Sequence, residues 1–266
     1  MTNFESRNIS LRNGMFTIKI SEGGTGKTDL VYLQGINNFQ EWPPFLDDLA
    51  DDFHIYVPAH PGISNSEGLE HIDDLWDLVL FYEELIKSLG ISTTIIMGHS
   101  YGGMLAAEIA ASFNTIVSKL ILISPLGLWL DEKPIPDFFM LTPSERSKLL
   151  WNNPESSIAK SYMDDPKDQS AKVESDLENT KTLMAIGKFC WPIPDKGLRK
   201  RIHRITMPTQ LIWGDSDGIV PMEYGSLFNG LISNSRLHII NKCGHIPQLE
   251  CRDEFVRTAQ EFLKNA

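Results

Sequence analysis

Three short stretches of this chain carry side chains that could do chemistry together: Gly98-His99-Ser100-Tyr101-Gly102, Gly214-Asp215-Ser216-Asp217-Gly218 and Gly244-His245-Ile246-Pro247. A serine hydroxyl is a poor nucleophile until a base takes its proton, and the base needs a third group to hold its tautomer. Serine, histidine and aspartate supply those three roles in attack on a carbonyl carbon. The spacing Gly98-x-Ser100-x-Gly102 suits a sharp strand-to-helix turn that lifts the hydroxyl above a sheet edge, the glycines letting neighbouring backbone pass close by. The N–H of Tyr101, opening the helix, would point at whatever Ser100 attacks. A buried serine at such a turn can also be a plain helix cap, so the elements around it decide.

Seven histidines compete for the role of base. His99 adjoins the serine and should point away from it, His54 and His238 fall within strands, His71 and His203 lie on or beside helices, and His60 lies in a loop. His245, in a loop after a strand, is left as the base. Asp215 and Asp217 both stand in a loop at the end of the preceding strand, and either could orient it.

The elements needed to position these groups are legible. Residues 94–97 are β-branched or apolar and stop at Gly98, and a helical stretch begins at Met104. Before them, strands are expected over residues 9–12, 16–20, 30–33 and 53–57, with Asn13-Gly14 as a hairpin turn and an amphipathic helix over 72–89 ended by Gly90. Gly23-Gly24-Thr25-Gly26-Lys27-Thr28 ends like a phosphate-binding loop. It lacks the required earlier glycine, Ser21 standing there, and runs into strand-like residues, so it reads as a hairpin loop. Strands over 119–123, 209–213 and 236–240 and helices over 222–231 and 255–263 complete the alternation. Between them the pattern changes: eight of the fifteen prolines lie from Pro125 to Pro194, and helices are expected near 143–151, 156–163, 169–189 and 195–204. This divides the chain into a core of residues 1–125 and 206–266 and a helical insertion, or lid, of residues 126–205. Its aromatic residues Trp129, Phe138, Phe139, Trp151 and Trp191 are candidates for lining a substrate pocket.

At 266 residues the chain is long enough for one large domain with an insertion. Its net charge of −11 and pI near 5.1 argue against nucleic acid or an anionic membrane surface as partner. The one basic cluster, Arg199-Lys200-Arg201 with Arg204, reads as a solvated helix face. Cys190, Cys243 and Cys251 are odd in number and have no metal-ligand spacing, so reduced thiols, no metal and no cofactor are expected. A polar N-terminus and the lack of a long apolar run lead to the expectation of a cytoplasmic protein, monomeric or homodimeric.

The chain resembles the α/β-hydrolase superfamily over nearly its whole length. Gly98 to Gly103 looks like the family's nucleophile elbow, and Gly214-Asp215-Ser216-Asp217-Gly218-Ile219-Val220-Pro221 is similar to its Gly-x-x-Asp-x-x-x-Pro acid loop, which implies Asp217. Gly244-His245-Ile246-Pro247-Gln248-Leu249-Glu250 looks like its histidine loop, and Pro61-Gly62-Ile63-Ser64-Asn65-Ser66 resembles its Pro-Gly-x-Gly-x-Ser turn, with Ser64 replacing a glycine. Where relatives usually carry His-Gly after the third strand, this chain has Gln34-Gly35. The resemblance implies an eight-stranded, mostly parallel sheet flanked by helices, an inserted helical lid, the triad Ser100–His245–Asp217, and an oxyanion hole from the N–H groups of Tyr101 and Ile36.

These readings lead to a metal-free serine hydrolase acting on a small molecule, with a carboxylic ester as the first expectation. Hydrolysis of a carbon–carbon bond in a diketone, or of a lactone, on the same triad is the second, and a non-enzymatic ligand receptor the third. Relatives that cleave carbon–carbon bonds commonly have tryptophan after the catalytic histidine and a lid arginine for the substrate carboxylate. Ile246 follows His245 here, and the cluster from Arg199 to Arg204 is the basic stretch near the lid's end. On that ground esters are expected to outrun diketones.

Overall fold

The computed structural model describes residues 3–36, 40–163, 168–193 and 195–265. Eight strands, β1 (Phe4–Leu11), β2 (Phe16–Gly23), β3 (Thr28–Leu33), β4 (Phe53–Pro58), β5 (Thr94–His99), β6 (Val117–Ile123), β7 (Thr209–Gly214) and β8 (Ser235–Ile240), form one sheet in the order β1-β2-β4-β3-β5-β6-β7-β8. The β1–β2 and β2–β4 pairs are antiparallel, and every pair from β4 to β8 is parallel. All carboxyl ends of the parallel strands therefore open on one edge, the edge where open α/β sheets bind ligands.

β1 and β2 meet through Arg12, Asn13 and Gly14, all at positive φ, as the Asn-Gly signal predicts. The glycine run 23–26 leads straight into β3, and a Cβ at Gly26 would lie 2.0 Å from the Asp52 carbonyl oxygen. Its glycines therefore serve close backbone packing, and no helix follows to hold a phosphate.

Side chains alternate between the two faces of the sheet. Val31 and Leu33 of β3 join the layer containing α1 (Leu75–Ser88) and α2 (Ser100–Ser112), and Leu30 and Tyr32 join the layer closed by α8 (Arg252–Asn265). α1 starts three residues later than its apolar stripe suggests because the Asp74 carboxylate caps it, accepting from the N–H groups of Trp76 and Asp77. α6 (Glu223–Leu231) follows β7, and the short α7 (Pro247–Glu250) follows β8.

Between β6 and β7 the chain forms α3 (Pro143–Leu150), α4 (Ser157–Met163) and α5 (Gln169–Cys190). The proline-rich pattern fits these bounds closely. Residues 195–204 differ from the single helix expected: they form two 3₁₀ turns, Leu198–Lys200 and Ile202–Arg204. Arg201, at φ −114°, interrupts the helical run. Its guanidinium grips the carboxylate of Glu108 on α2 with two hydrogen bonds of 2.8 and 2.7 Å. Arg204 donates to the Ala111 carbonyl and Arg199 to that of Trp129. Arg201 and Arg204 thus tie the end of the helical segment to α2, while Arg199, Lys200 and Arg204 remain exposed, so the expected solvated face holds for most of the cluster and fails at Arg201. No helix among the described residues is long and apolar enough to cross a membrane.

Glu108 is buried, so Arg201→Ala leaves a carboxylate out of water without its counter-charge. Because Arg201 itself is about a third exposed, the expected loss is at the low end for a broken buried pair, about 2 kcal/mol, read as a lower urea midpoint at unchanged m. The double variant Arg201→Ala/Glu108→Ala should recover part of it.

Candidate active site

Ser100 ends the crossing from β5 to α2 at φ +53°, a left-handed conformation that non-glycine residues hold only under strain. The tightness of the turn explains the glycines: a Cβ at Gly98 would lie 2.3 Å from the Gly102 carbonyl oxygen, and one at Gly102 would lie 2.1 Å from that of Leu33. The hydroxyl of Ser100 is held 2.9 Å from His245 Nε2. On the other side of the ring, His245 Nδ1 lies 2.8 Å from Asp217 Oδ2 and 3.0 Å from Oδ1. A carboxylate can only accept, so Nδ1 carries a proton toward Asp217, and in the neutral ring Nε2 is left free to take one from Ser100.

The structure separates the two aspartates that the residues alone leave open. Asp217 is buried and its Oδ1 also accepts from the N–H groups of Ile219, at 2.9 Å, and Val220, at 2.8 Å. Asp215 is exposed and bonded to the Ser216 hydroxyl and weakly to the Cys243 N–H, and it does not reach His245.

His99 does point away from the serine. Its Nε2 donates to the His245 carbonyl at 2.8 Å, and burial, with the neighbouring His245, lowers its pKa to about 3. His60 is buried as well: Nε2 donates to the Gln34 carbonyl at 2.9 Å, Nδ1 is left to accept from the Tyr82 hydroxyl, and burial lowers its pKa to about 4. Two neutral imidazoles therefore brace the backbone on either side of Ser100 without adding charge.

The loop after β3 lies against the serine turn, since a Cβ at Gly35 would stand 2.6 Å from His99 Nδ1 and 3.0 Å from Ser100 Cβ. Gln34, in the position where histidine is usual, spans this loop: its amide donates to the Gln40 carbonyl at 2.5 Å and accepts from the Gln40 N–H at 3.1 Å. Ile36 lines the same cavity as Ser100 and His245. Tyr101 is the second residue of α2, so no carbonyl within the helix can take its N–H. Tyr101 follows Ser100 directly, and Ile36 shares its cavity, so both stand near the serine.

A small, partly open cavity above Ser100 is lined by Ile36, Phe138, Arg146, Leu150, Ile219 and His245. Of the five aromatic candidates only Phe138 is among them. Trp151 is buried against Tyr162, Phe139 packs on Phe138, Trp129 bonds to Asp131, and the exposed Trp191 bonds to Asp137.

Arg146 is the group that sequence reasoning missed. Burial lowers the pKa of its guanidinium, and no hydrogen bond or ion pair of that side chain is found among the described residues. The available signal was spacing, because Arg146 and Leu150 stand four apart in a helix started by the Thr142–Glu145 capping box and so share one face. The end of that helix is tied to the acid and histidine loops through its backbone: Leu150 O accepts from the His245 N–H at 2.8 Å and Leu149 O from the Gly218 N–H at 3.0 Å. Glu250 adds a second tie, accepting from the N–H groups of Gly244, Asn152 and Asn153.

An eight-stranded, mostly parallel sheet with a strained serine turn and a Ser-His-Asp relay at its carboxyl edge defines an α/β hydrolase. A family model for the alpha/beta hydrolase fold matches residues 23–250, and the chain belongs to that family. It is similar to a 2-hydroxy-6-oxononadienedioate/2-hydroxy-6-oxononatrienedioate hydrolase of Pseudomonas putida, at 29% identity over 97% of this chain and 96% of the relative. It is also similar to a 2-hydroxy-6-oxo-6-phenylhexa-2,4-dienoate hydrolase of Comamonas testosteroni, at 25% identity over 94% of this chain and 92% of the relative. Among solved structures, a bacterial membrane phospholipase A shares the fold with a TM-score of 0.82 at 20% identity, over 99% of this chain and 87% of that one. The chain is a hydrolase of this superfamily, and the fold by itself accommodates quite different bonds.

Asp217→Asn should slow fluorophosphonate labelling of Ser100 by about 10²-fold or more, because the amide favours the wrong tautomer of His245, whereas Asp215→Asn should leave the rate within about threefold of wild type. Equal losses would move the orienting role to Asp215. A second expectation concerns stability. His60 and His99 stay neutral in the fold to about pH 4 and 3 but protonate near 6.5 when unfolded, so between those values the unfolded chain binds more protons. Stability should fall as pH drops from about 6.5 toward 4, each histidine adding up to about 1.4 kcal/mol per pH unit to the slope. Urea midpoints across this range check it, and His60→Gln should show a shallower slope than wild type.

Proposed function

We propose that this protein hydrolyses a carbon–carbon bond beside the ketone of a small carboxylate-bearing diketone, of the 2-hydroxy-6-oxo-dienoate kind. The observation that carries this reading is Arg146, a partly buried guanidinium that has no counter-charge among the described residues, in the cavity that holds Ser100 and His245. An arginine in this setting is costly unless an anion completes it, and its planar fork suits a carboxylate. The names of the relatives, which cover almost the whole chain, support the same substrate class. The sequence alone favours an ester, partly because the cluster from Arg199 to Arg204 reads as a solvated face. With those arginines engaged elsewhere and Arg146 in the cavity, the ranking is reversed.

In this reading Ser100 attacks the ketone carbon as His245 takes its proton, and Asp217 holds the imidazolium that forms. The N–H groups of Tyr101 and Ile36 receive the developing oxyanion. The bond from the carbonyl carbon toward the carboxylate breaks, and its electron pair delocalises along the conjugated chain toward the end held by Arg146. His245 returns the proton to that carbon fragment, then activates a water to release the acyl group from Ser100. Residues 126–205 act as the lid, supplying Phe138, Arg146 and Leu150 above the serine.

A carboxylesterase on the same triad is the second reading, favoured by Ile246 after His245 and by the otherwise apolar walls of Ile36, Phe138, Leu150 and Ile219. Steady-state kinetics separate the two. The wild type should show a higher kcat/KM for a 2-hydroxy-6-oxo-dienoate than for a neutral short-chain aryl ester. Arg146→Gln should cut the former by about 10²-fold, some 2.7 kcal/mol, while changing the ester by less than about threefold. A preference for the ester, with both substrates equally indifferent to Arg146→Gln, would establish the esterase.

A further inference from the structure

α5 is 22 residues long, and its buried residues, Ala185, Ile186, Phe189 and Cys190, all fall in its last two turns. From Gln169 to Met184 every side chain is partly or fully exposed. A bare helix of that length is marginal in water, because most helical stability comes from packing an apolar face. α5 has such a face. Val173, Leu177 and Met184 stand four and seven residues apart, so they lie within about 40° of one another around the helix. They are 59%, 53% and 71% exposed.

The stripe continues past the helix end. Trp191, which caps α5, is exposed, and its indole N–H donates to Asp137 Oδ2 at 3.2 Å. Exposed Met140 follows Phe139, whose ring lies 3.6 Å from where a Cβ on Gly187 would stand. Half of the large apolar side chains exposed among the described residues therefore gather along α5 and its cap, and clustering of that kind marks an interaction surface.

We propose that this stripe is a homodimer interface, in which α5 packs antiparallel against α5 of a second copy across a twofold axis near Thr180. Charge along the helix selects that occupant. Glu174, Asp176 and Glu178 outnumber Lys172 in the first half, whereas Lys181 and Lys188 stand without an acid in the second. A surface acidic at one end and basic at the other complements itself once reversed, as a twofold interface requires. With Leu177 set against Met184 of the second copy, Glu174 falls beside its Lys188 and Trp191 reaches its Val173. Lys181, which meets its own counterpart at the axis, is already paired with Glu178 at 2.6 Å. A helix that lies on a membrane carries lysine and arginine beside its apolar stripe, but this one carries acids beside Val173 and Leu177, on a chain of net charge −11.

Sedimentation equilibrium on the whole protein should give about twice the 30.0 kDa chain mass at micromolar concentration. Leu177→Asp and Met184→Asp should each raise the dissociation constant at least about thirtyfold, as loss of a central interface anchor does, while keeping a cooperative urea transition. Glu174→Lys should weaken the dimer, and Glu174→Lys/Lys188→Glu, which swaps the charges, should restore it. Amide exchange over residues 169–184 should quicken on dilution. A monomer throughout, a dimer indifferent to both apolar variants, exchange independent of concentration, or a charge-swapped variant no tighter than Glu174→Lys would each overturn the proposal. Binding of the wild type to phosphatidylcholine vesicles in place of self-association would overturn it as well.

Discussion

The left-handed turn at Ser100 is the constraint on which the rest of the site depends. A serine at φ +53° carries strain on the order of 1–3 kcal/mol, and such a residue persists only where its surroundings over-determine it. Those surroundings are the buried strand β5, the tightly packed first turn of α2 and the β3 loop pressed against both. The missing side chains at Gly98, Gly102 and Gly35 are what allow three pieces of backbone to meet at one hydroxyl.

Around that turn, neutral polar groups do the positioning and charge is kept for the chemistry. His60 and His99 are buried as uncharged rings, each spending an N–H on a carbonyl of a loop that must not drift. Ionised side chains at those sites would compete with the Asp217–His245 pair in a poorly screened interior. Among the described residues that line the cavity, Arg146 is set in an otherwise largely apolar wall. The electrostatic asymmetry of the site thus runs from a buried carboxylate behind the histidine to a guanidinium in front of the serine.

Much of this was legible in the sequence because the relevant signals are local. Strand-to-helix alternation, the glycines around Ser100 and the loops after β7 and β8 each depend on a few adjacent residues, and seven of the eight strands lie where periodicity and turn chemistry suggest, whereas β1 starts five residues earlier, at Phe4, and ends before Arg12. What was not legible depends on long-range pairing. Arg199, Arg201 and Arg204 form a basic run that reads as solvated, and only the fold reveals that Glu108, far back in the chain, waits for one of them. Arg146 carries no motif, since its meaning comes from where α3 lands. The aromatic candidates were chosen by type, yet Trp151 fills core volume and Trp191 faces solvent, because an aromatic side chain in a helical insertion packs equally well against its neighbours as against a ligand.

The way α3 is fastened to the acid and histidine loops has a consequence for how such a protein can diverge. The fastening uses the carbonyls of Leu149 and Leu150 and the N–H groups of Gly218 and His245, with Gly218 and Gly244 keeping the approach open. Main-chain bonds do not depend on which side chains the helix presents. Residues on α3 that face the cavity are therefore free to be exchanged, cation for apolar or large for small, without retuning the relay beneath them. The same feature makes the two glycines far less replaceable than the residues that choose the substrate, so a lineage built on this scaffold can change what it recognises while inheriting how it reacts.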